Sequence, residues 1–179
     1  MNLANKLTML RILLIPLVMF FVLWDFPYGK LISAIIFLCA AFTDGLDGYI
    51  ARKRKEITNM GKLLDPLADK LLVAAALVSL VEIGQIPAWI AIVIIGREFL
   101  VTGLRGIAAA EGLVIAASNL AKIKTVFQIA ALSALLLDEY VAAALGFSPG
   151  QWLLYLAVLL TVYTGYDYLV KTFAGIKMT

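Results

Sequence analysis

Residues 44–69 read DGLDGYIARKRKEITNMGKLLDPLAD. Within this stretch the aspartates Asp44, Asp47, Asp65 and Asp69 stand at set intervals with Gly48, Ala51, Arg52 and Gly61. The chain around them is 63% hydrophobic and 15% charged, with a mean hydropathy of +0.98. Carboxylates in such a setting cost about 2.5–3.5 kcal/mol each on insertion scales. A divalent cation held by several carboxylate oxygens neutralises the cluster and occupies its lone pairs together.

Working outward, uncharged stretches run over residues 12–24, 31–43, 71–81, 83–96, 125–137 and the segment around 152–166. Each is shorter than the ~20 residues that a ~30 Å hydrocarbon core requires, so each predicted helix continues into a charged flank. The expected fold is an all-α integral membrane protein of six transmembrane helices, with residues 1–179 forming one domain. Threaded as alternating spans, the chain gathers Arg11, the four aspartates, Arg52, Arg97, Arg105, Lys122, Lys124 and Asp167 at one end. With the amino terminus inside, all Lys and Arg but Lys30 fall on the cytoplasmic side, as the positive-inside rule asks. The expectation is a polar cavity open to the cytoplasm and closed by greasy outer halves. Short outer turns around Asp25, Glu82, Asp138 and Glu139 leave no room for a folded module. Lys6 and Arg11 before an apolar run resemble a signal peptide, but no small-residue cleavage site follows, and an uncleaved first span is expected.

Composition narrows the chemistry. Histidine is absent and Cys39 is the single cysteine, which excludes imidazole catalysis, an internal disulfide and a thiolate metal site. Oxygen ligands favour Mg2+ or Mn2+. Asp44 and Asp47 are three apart and Asp65 and Asp69 four apart, so each pair shares one helix face, and two antiparallel helices can point all four inward. Four anions suit two divalent ions better than one, the arrangement that clamps an in-line phosphoryl displacement. Gly48 and Gly61 permit close approach of a ligand, and Arg52 can pair with a phosphate oxygen.

The frame from Asp44 to Asp69 matches the signature of the CDP-alcohol phosphotransferases at every fixed position, and the chain is identified by it as resembling that family. Asn5, Thr8 and Arg11, the run from Arg97 and Glu98 to Thr102, Gly103, Leu104 and Arg105, and Lys122 to Thr125 resemble its bacterial phosphatidylglycerophosphate synthase branch. The resemblance implies transfer of a phosphatidyl group from CDP-diacylglycerol to glycerol 3-phosphate, with release of CMP. It implies that Asp44, Asp47, Asp65 and Asp69 hold the metal and that Asp69 is also the general base. It places CDP-diacylglycerol against Gly48, Arg52 and Gly61, bordered by Asn5 and Thr8, and glycerol phosphate against Arg105, Lys122 and Lys124. It further implies a homodimer among membrane lipids in the bacterial inner (plasma) membrane, multi-pass, with the active site facing the cytoplasm.

Plainer readings stand beside these. Asp65 before Pro66 has the form of a helix N-cap, and Asp69 can pair with Lys70 or Lys62. Arg105, Lys122 and Lys124 also fit positive-inside anchoring to anionic headgroups. Arg97 and Glu98 fit structural pairing or a substrate role equally, and Asp167 has no assignment. Trp24, Tyr28, Trp89, Tyr140 and Trp152 read as interfacial anchors. Basic residues 52–55 read as inner-leaflet contact, and no nucleic-acid module is visible. Rival functions are the same chemistry on serine, inositol, inositol phosphate or phosphatidylglycerol, a divalent-cation transporter, and a non-catalytic scaffold.

Overall fold

Apolar runs become helices where no water can satisfy a backbone, because a helix pairs its own N–H and C=O groups. A computed structural model describes residues 3–24, 26–54, 59–110 and 119–176, with side chains at 5–24, 26–43, 64–109 and 120–173. Among the described residues there are seven helices and no strand. They are α1 (Leu3–Leu23), α2 (Gly29–Arg54), α3 (Asn59–Glu82), α4 (Ala88–Ala110), α5 (Asn119–Leu136), α6 (Asp138–Leu145) and α7 (Pro149–Ile176). Six of them are long, and α2 alone, with 26 residues, extends about 39 Å at ~1.5 Å per residue.

Polar side chains inside these helices are absorbed locally. The hydroxyls of Thr125, Ser133, Thr161 and Thr172 each donate to the carbonyl four residues earlier, the back-bonding open to Ser and Thr in apolar helices. Others tie helices together: Ser33 donates to the Val18 carbonyl at 3.1 Å, and Gln128 to Thr161 at 3.1 Å. The end of α3 is a Schellman motif, with the Gly84 N–H on the Val81 carbonyl, the Gln85 N–H on that of Leu80, and Gly84 at φ 73°. Pro87 then precedes α4, where its missing N–H costs nothing.

Helix α1 packs on α2 and α3, α7 packs on α4 and α5, and α2 meets α5 to join the two groups. Phe37, Leu72, Leu77, Leu80, Ile94, Leu132, Leu135 and Leu154 fill the space between them. The outside is equally apolar: Phe42 is 72% exposed, Ile92 70% and Leu159 67%. Apolar exposure on this scale suits lipid rather than water. The segment Asn5–Leu23 of α1 and Pro149–Phe173 of α7 are long and apolar enough to cross a membrane, and α5 with α6 qualifies as a pair bent by 84°. The five aromatic residues expected as anchors are exposed at the helix ends remote from the aspartates.

Two features depart from the sequence reading. The third outer turn contains α6, whose Asp138 and Glu139 occupy its first turn, where the helix dipole favours acids. Helix α3 starts at Asn59 and runs through Pro66, so Asp65 is not an N-cap. A helix interior takes proline when the carbonyls it releases find other partners.

Candidate active site

Helix α2 carries Asp44, Asp47, Gly48 and Arg52 along its last turns, and α3 carries Gly61 in its first; the side chains of Asp44, Asp47 and Arg52 and the surroundings of both glycines lie outside the described residues. Asp65 and Asp69 follow on α3, one turn apart and both half-buried. Thr8 on α1, fully buried, donates its hydroxyl to Oδ1 of Asp65. Asn5 lies one turn before Thr8, half-buried on the same helix. One turn beyond, the buried Arg11 donates from Nε to the Ala40 carbonyl at 3.2 Å, four residues ahead of Asp44. Helix α1 is thus fastened to both aspartate-bearing helices, to one through a carboxylate and to the other through a backbone oxygen.

A cavity of about 280 Å³ opens beside Asp69. Its polar lining comes from three helices: Asp69 and Lys70 of α3, Arg97, Glu98, Thr102 and Arg105 of α4, and Lys122, Lys124 and Thr125 of α5. The spacing 98, 101, 102, 105 follows one face of α4, which is why Glu98 and Arg105 line the cavity together. The structure therefore brings Asp69, Arg105, Lys122 and Lys124 to one cavity, as the sequence reading expected. Glu98 joins them, a residue that the sequence left between structural pairing and a substrate role.

These cations are not equivalent. Lys124 is 2% exposed, and its ammonium is ion-paired with Glu98. The same carboxylate oxygen accepts from Nη1 of Arg97 at 3.1 Å, while Nη2 of Arg97 donates to Thr164 on α7 at 3.0 Å. Gly165 leaves room for this, since a Cβ there would come within 3.0 Å of the Arg97 Cγ. Arg105 lies with its guanidinium 5.4 Å from the centre of the Tyr168 ring, a cation–π contact that fixes its plane. No acid among the described residues pairs with Arg105 or Lys122. Asp167 pairs with Lys171 at 2.6 Å one turn along α7, and Lys70 donates to the Pro66 carbonyl at 3.1 Å; these cations are engaged outside the Glu98 cluster.

A larger cavity, about 590 Å³, lies at the other end of the bundle between the α1–α2 turn and α6. It offers aromatic walls and the Lys30–Glu139 ion pair, without the convergence of acid and cations found beside Asp69. Chemistry, not size, marks the smaller one.

Residues 1–163 match the family description CDP-alcohol phosphatidyltransferase. The chain belongs to that family. This CDP-alcohol phosphatidyltransferase is 47% identical to the CDP-diacylglycerol–glycerol-3-phosphate 3-phosphatidyltransferase of Bacillus subtilis (strain 168), over 98% of its own length and 97% of the relative's. It is 39% identical to the enzyme of the same name from Rickettsia bellii, over 93% of each chain. With the probable phosphatidylglycerophosphate synthase of Mycobacterium tuberculosis it shares 36% identity, over 99% of this chain and 86% of the relative.

Proposed function

We propose that the protein transfers the phosphatidyl group of CDP-diacylglycerol to glycerol 3-phosphate, giving phosphatidylglycerophosphate and CMP in phospholipid biosynthesis. The observation that carries this reading is the cavity that joins a carboxylate, Asp69, to Arg105, Lys122 and Lys124. A phosphate dianion needs several cations and an attacking hydroxyl needs a base, and one small space supplies both. The relatives' names bring the acceptor: two name glycerol 3-phosphate itself and the third names the product made from it.

The bond formed joins the acceptor's primary hydroxyl oxygen to the phosphatidyl phosphorus, and the bond broken joins that phosphorus to CMP. Asp69 accepts the hydroxyl proton while Arg105, Lys122 and Lys124 hold the acceptor's phosphate at the far side of the cavity. Thr8 fixes Asp65, and Asn5, Thr8, Gly48, Arg52 and Gly61 are assigned to CDP-diacylglycerol. The donor set fits a divalent cation: it is all oxygen, Asp65 and Asp69 share a face of α3, and Thr8 orients one of them. Asp44, Asp47, Asp65 and Asp69 would hold two Mg2+ or Mn2+ ions, which when bound supply charge stabilisation to the reacting phosphates.

The six long helices are assigned as six spans of a homodimer in the bacterial inner membrane, with the cavity facing the cytoplasm. Purified protein with CDP-diacylglycerol, glycerol 3-phosphate and Mg2+ is expected to release CMP and yield phosphatidylglycerophosphate. No turnover with that acceptor, or equal turnover with serine or inositol, overturns the assignment.

A further inference from the structure

Glu98 is out of place in a cavity meant for an anion. A carboxylate there repels the acceptor's phosphate, and its position must serve something that outweighs the repulsion. Both cations it touches meet the same atom, Oε1: the Lys124 ammonium and Nη1 of Arg97. Since Arg97 continues to Thr164, one oxygen of α4 links α5 directly and α7 at one remove. Lys124 meets little water at 2% exposure, and Glu98 is the carboxylate paired with its ammonium to offset that desolvation. An ammonium carries three donors. With one spent on Glu98, two remain for a ligand in the cavity that Lys124 lines.

We propose that Glu98 is the positioning residue of the acceptor-phosphate pocket, holding the buried Lys124 ammonium aimed so that it grips the phosphate of the acceptor more strongly than any uncharged alcohol. Resting on the function proposed above, it adds to that reading the group that selects a phosphorylated acceptor. Glu98 acts through Lys124 and takes no part in proton transfer, so its removal affects acceptor binding more than the chemical step.

The test compares wild type, Glu98→Gln, Lys124→Met and the double variant, purified in detergent with CDP-diacylglycerol micelles. For each, the KM for glycerol 3-phosphate, the KM for CDP-diacylglycerol, kcat and the melting temperature are measured. Glu98→Gln is expected to raise the glycerol 3-phosphate KM about tenfold, the loss of one charge-assisted contact. It is expected to leave kcat and the donor KM within about twofold of wild type. Glu98→Asp recovers part of the loss, and the double variant is no worse than Lys124→Met alone, because the two residues act in series.

A lowered KM in Glu98→Gln would show that the carboxylate competes with phosphate, and the proposal fails. It fails equally if both KM values, kcat and the melting temperature deteriorate together, or if the double variant is additive. Should Glu98→Gln not fold, the double variant, which removes both members of the Glu98–Lys124 pair and leaves Arg97 its bond to Thr164, is set against Lys124→Met: matching acceptor KM values support the proposal, and a further rise in the double variant overturns it. Wild type without glycerol 3-phosphate-dependent CMP release defeats the underlying function instead, which keeps the two failures apart.

Discussion

Replacing Thr8 by valine removes one hydroxyl at nearly constant shape from a fully buried position. The loss includes the donor to Oδ1 of Asp65. Hydrogen bonds to charged groups contribute about 1.5–3 kcal/mol, and partners that orient a metal-ligating carboxylate typically account for about ten- to a hundredfold in metal affinity or activity. The two figures agree, since about 1.4 kcal/mol is tenfold. If Asp65 holds the metal, Thr8→Val should therefore shift the Mg2+ concentration for half-maximal CMP release upward by at least about tenfold. Saturating Mg2+ should restore most of kcat, because Asp69 and the acceptor cations are untouched. Thr8→Ser, which keeps the hydroxyl, should stay close to wild type. The assay is CMP release against Mg2+ at fixed substrate, with melting temperature as a control. An unchanged Mg2+ midpoint in a folded Thr8→Val protein would refute the link between this hydrogen bond and the metal site.

Arg105→Ala should raise the glycerol 3-phosphate KM by about tenfold or more and leave the donor KM alone; Arg105→Lys should be intermediate, since an ammonium lacks the planar fork that lies over Tyr168. Equal KM values in Arg105→Ala and wild type would remove that residue from the pocket. The Tyr168 hydroxyl is buried with no hydrogen-bond partner among the described residues, so Tyr168→Phe should keep acceptor kinetics, whereas Tyr168→Leu, which deletes the ring, should raise the acceptor KM a few-fold, the equivalent of about 0.5–1 kcal/mol. Gly165→Ala should push the Arg97 stem out of its seat and raise the acceptor KM about threefold, read against an unchanged donor KM. Chelation by EDTA should abolish CMP release and added Mg2+ should restore it; turnover that survives chelation would count against a metal-dependent step.

Much of the fold is legible in the sequence because membrane helices announce themselves by length and by where charges stop. The uncharged runs at 12–24, 31–43 and 83–96 fall largely within α1, α2 and α4, and the sequence also anticipates their extension into charged flanks. Helix α6 is not legible: DEYVAAAL is eight residues long, too short for a periodic signal, and its acids mark a turn as readily as a first helical turn. Proline at 66 suggests a helix start to a local reading, while α3 has enough of its length on both sides to carry the proline within it. In the site, the grouping of Asp69 with Arg105, Lys122 and Lys124 follows from counting charges to one end of the bundle. The bond from Lys124 to Glu98 does not follow, since it depends on the rotation of α5 against α4. The same holds for Thr8, which the resemblance puts at the border of the donor site and whose bond to Asp65 depends on how α1 meets α3.

The fastening of α1 bears on how the protein is assembled. Its Thr8 donates to a side chain of α3 and its Arg11 to a carbonyl of α2, and both helices lie later in the chain. The contacts of Thr8 with Asp65 and of Arg11 with the Ala40 carbonyl therefore form only when α3 and α2 are in place. A lesion at either residue should surface during assembly of the bundle as well as during turnover.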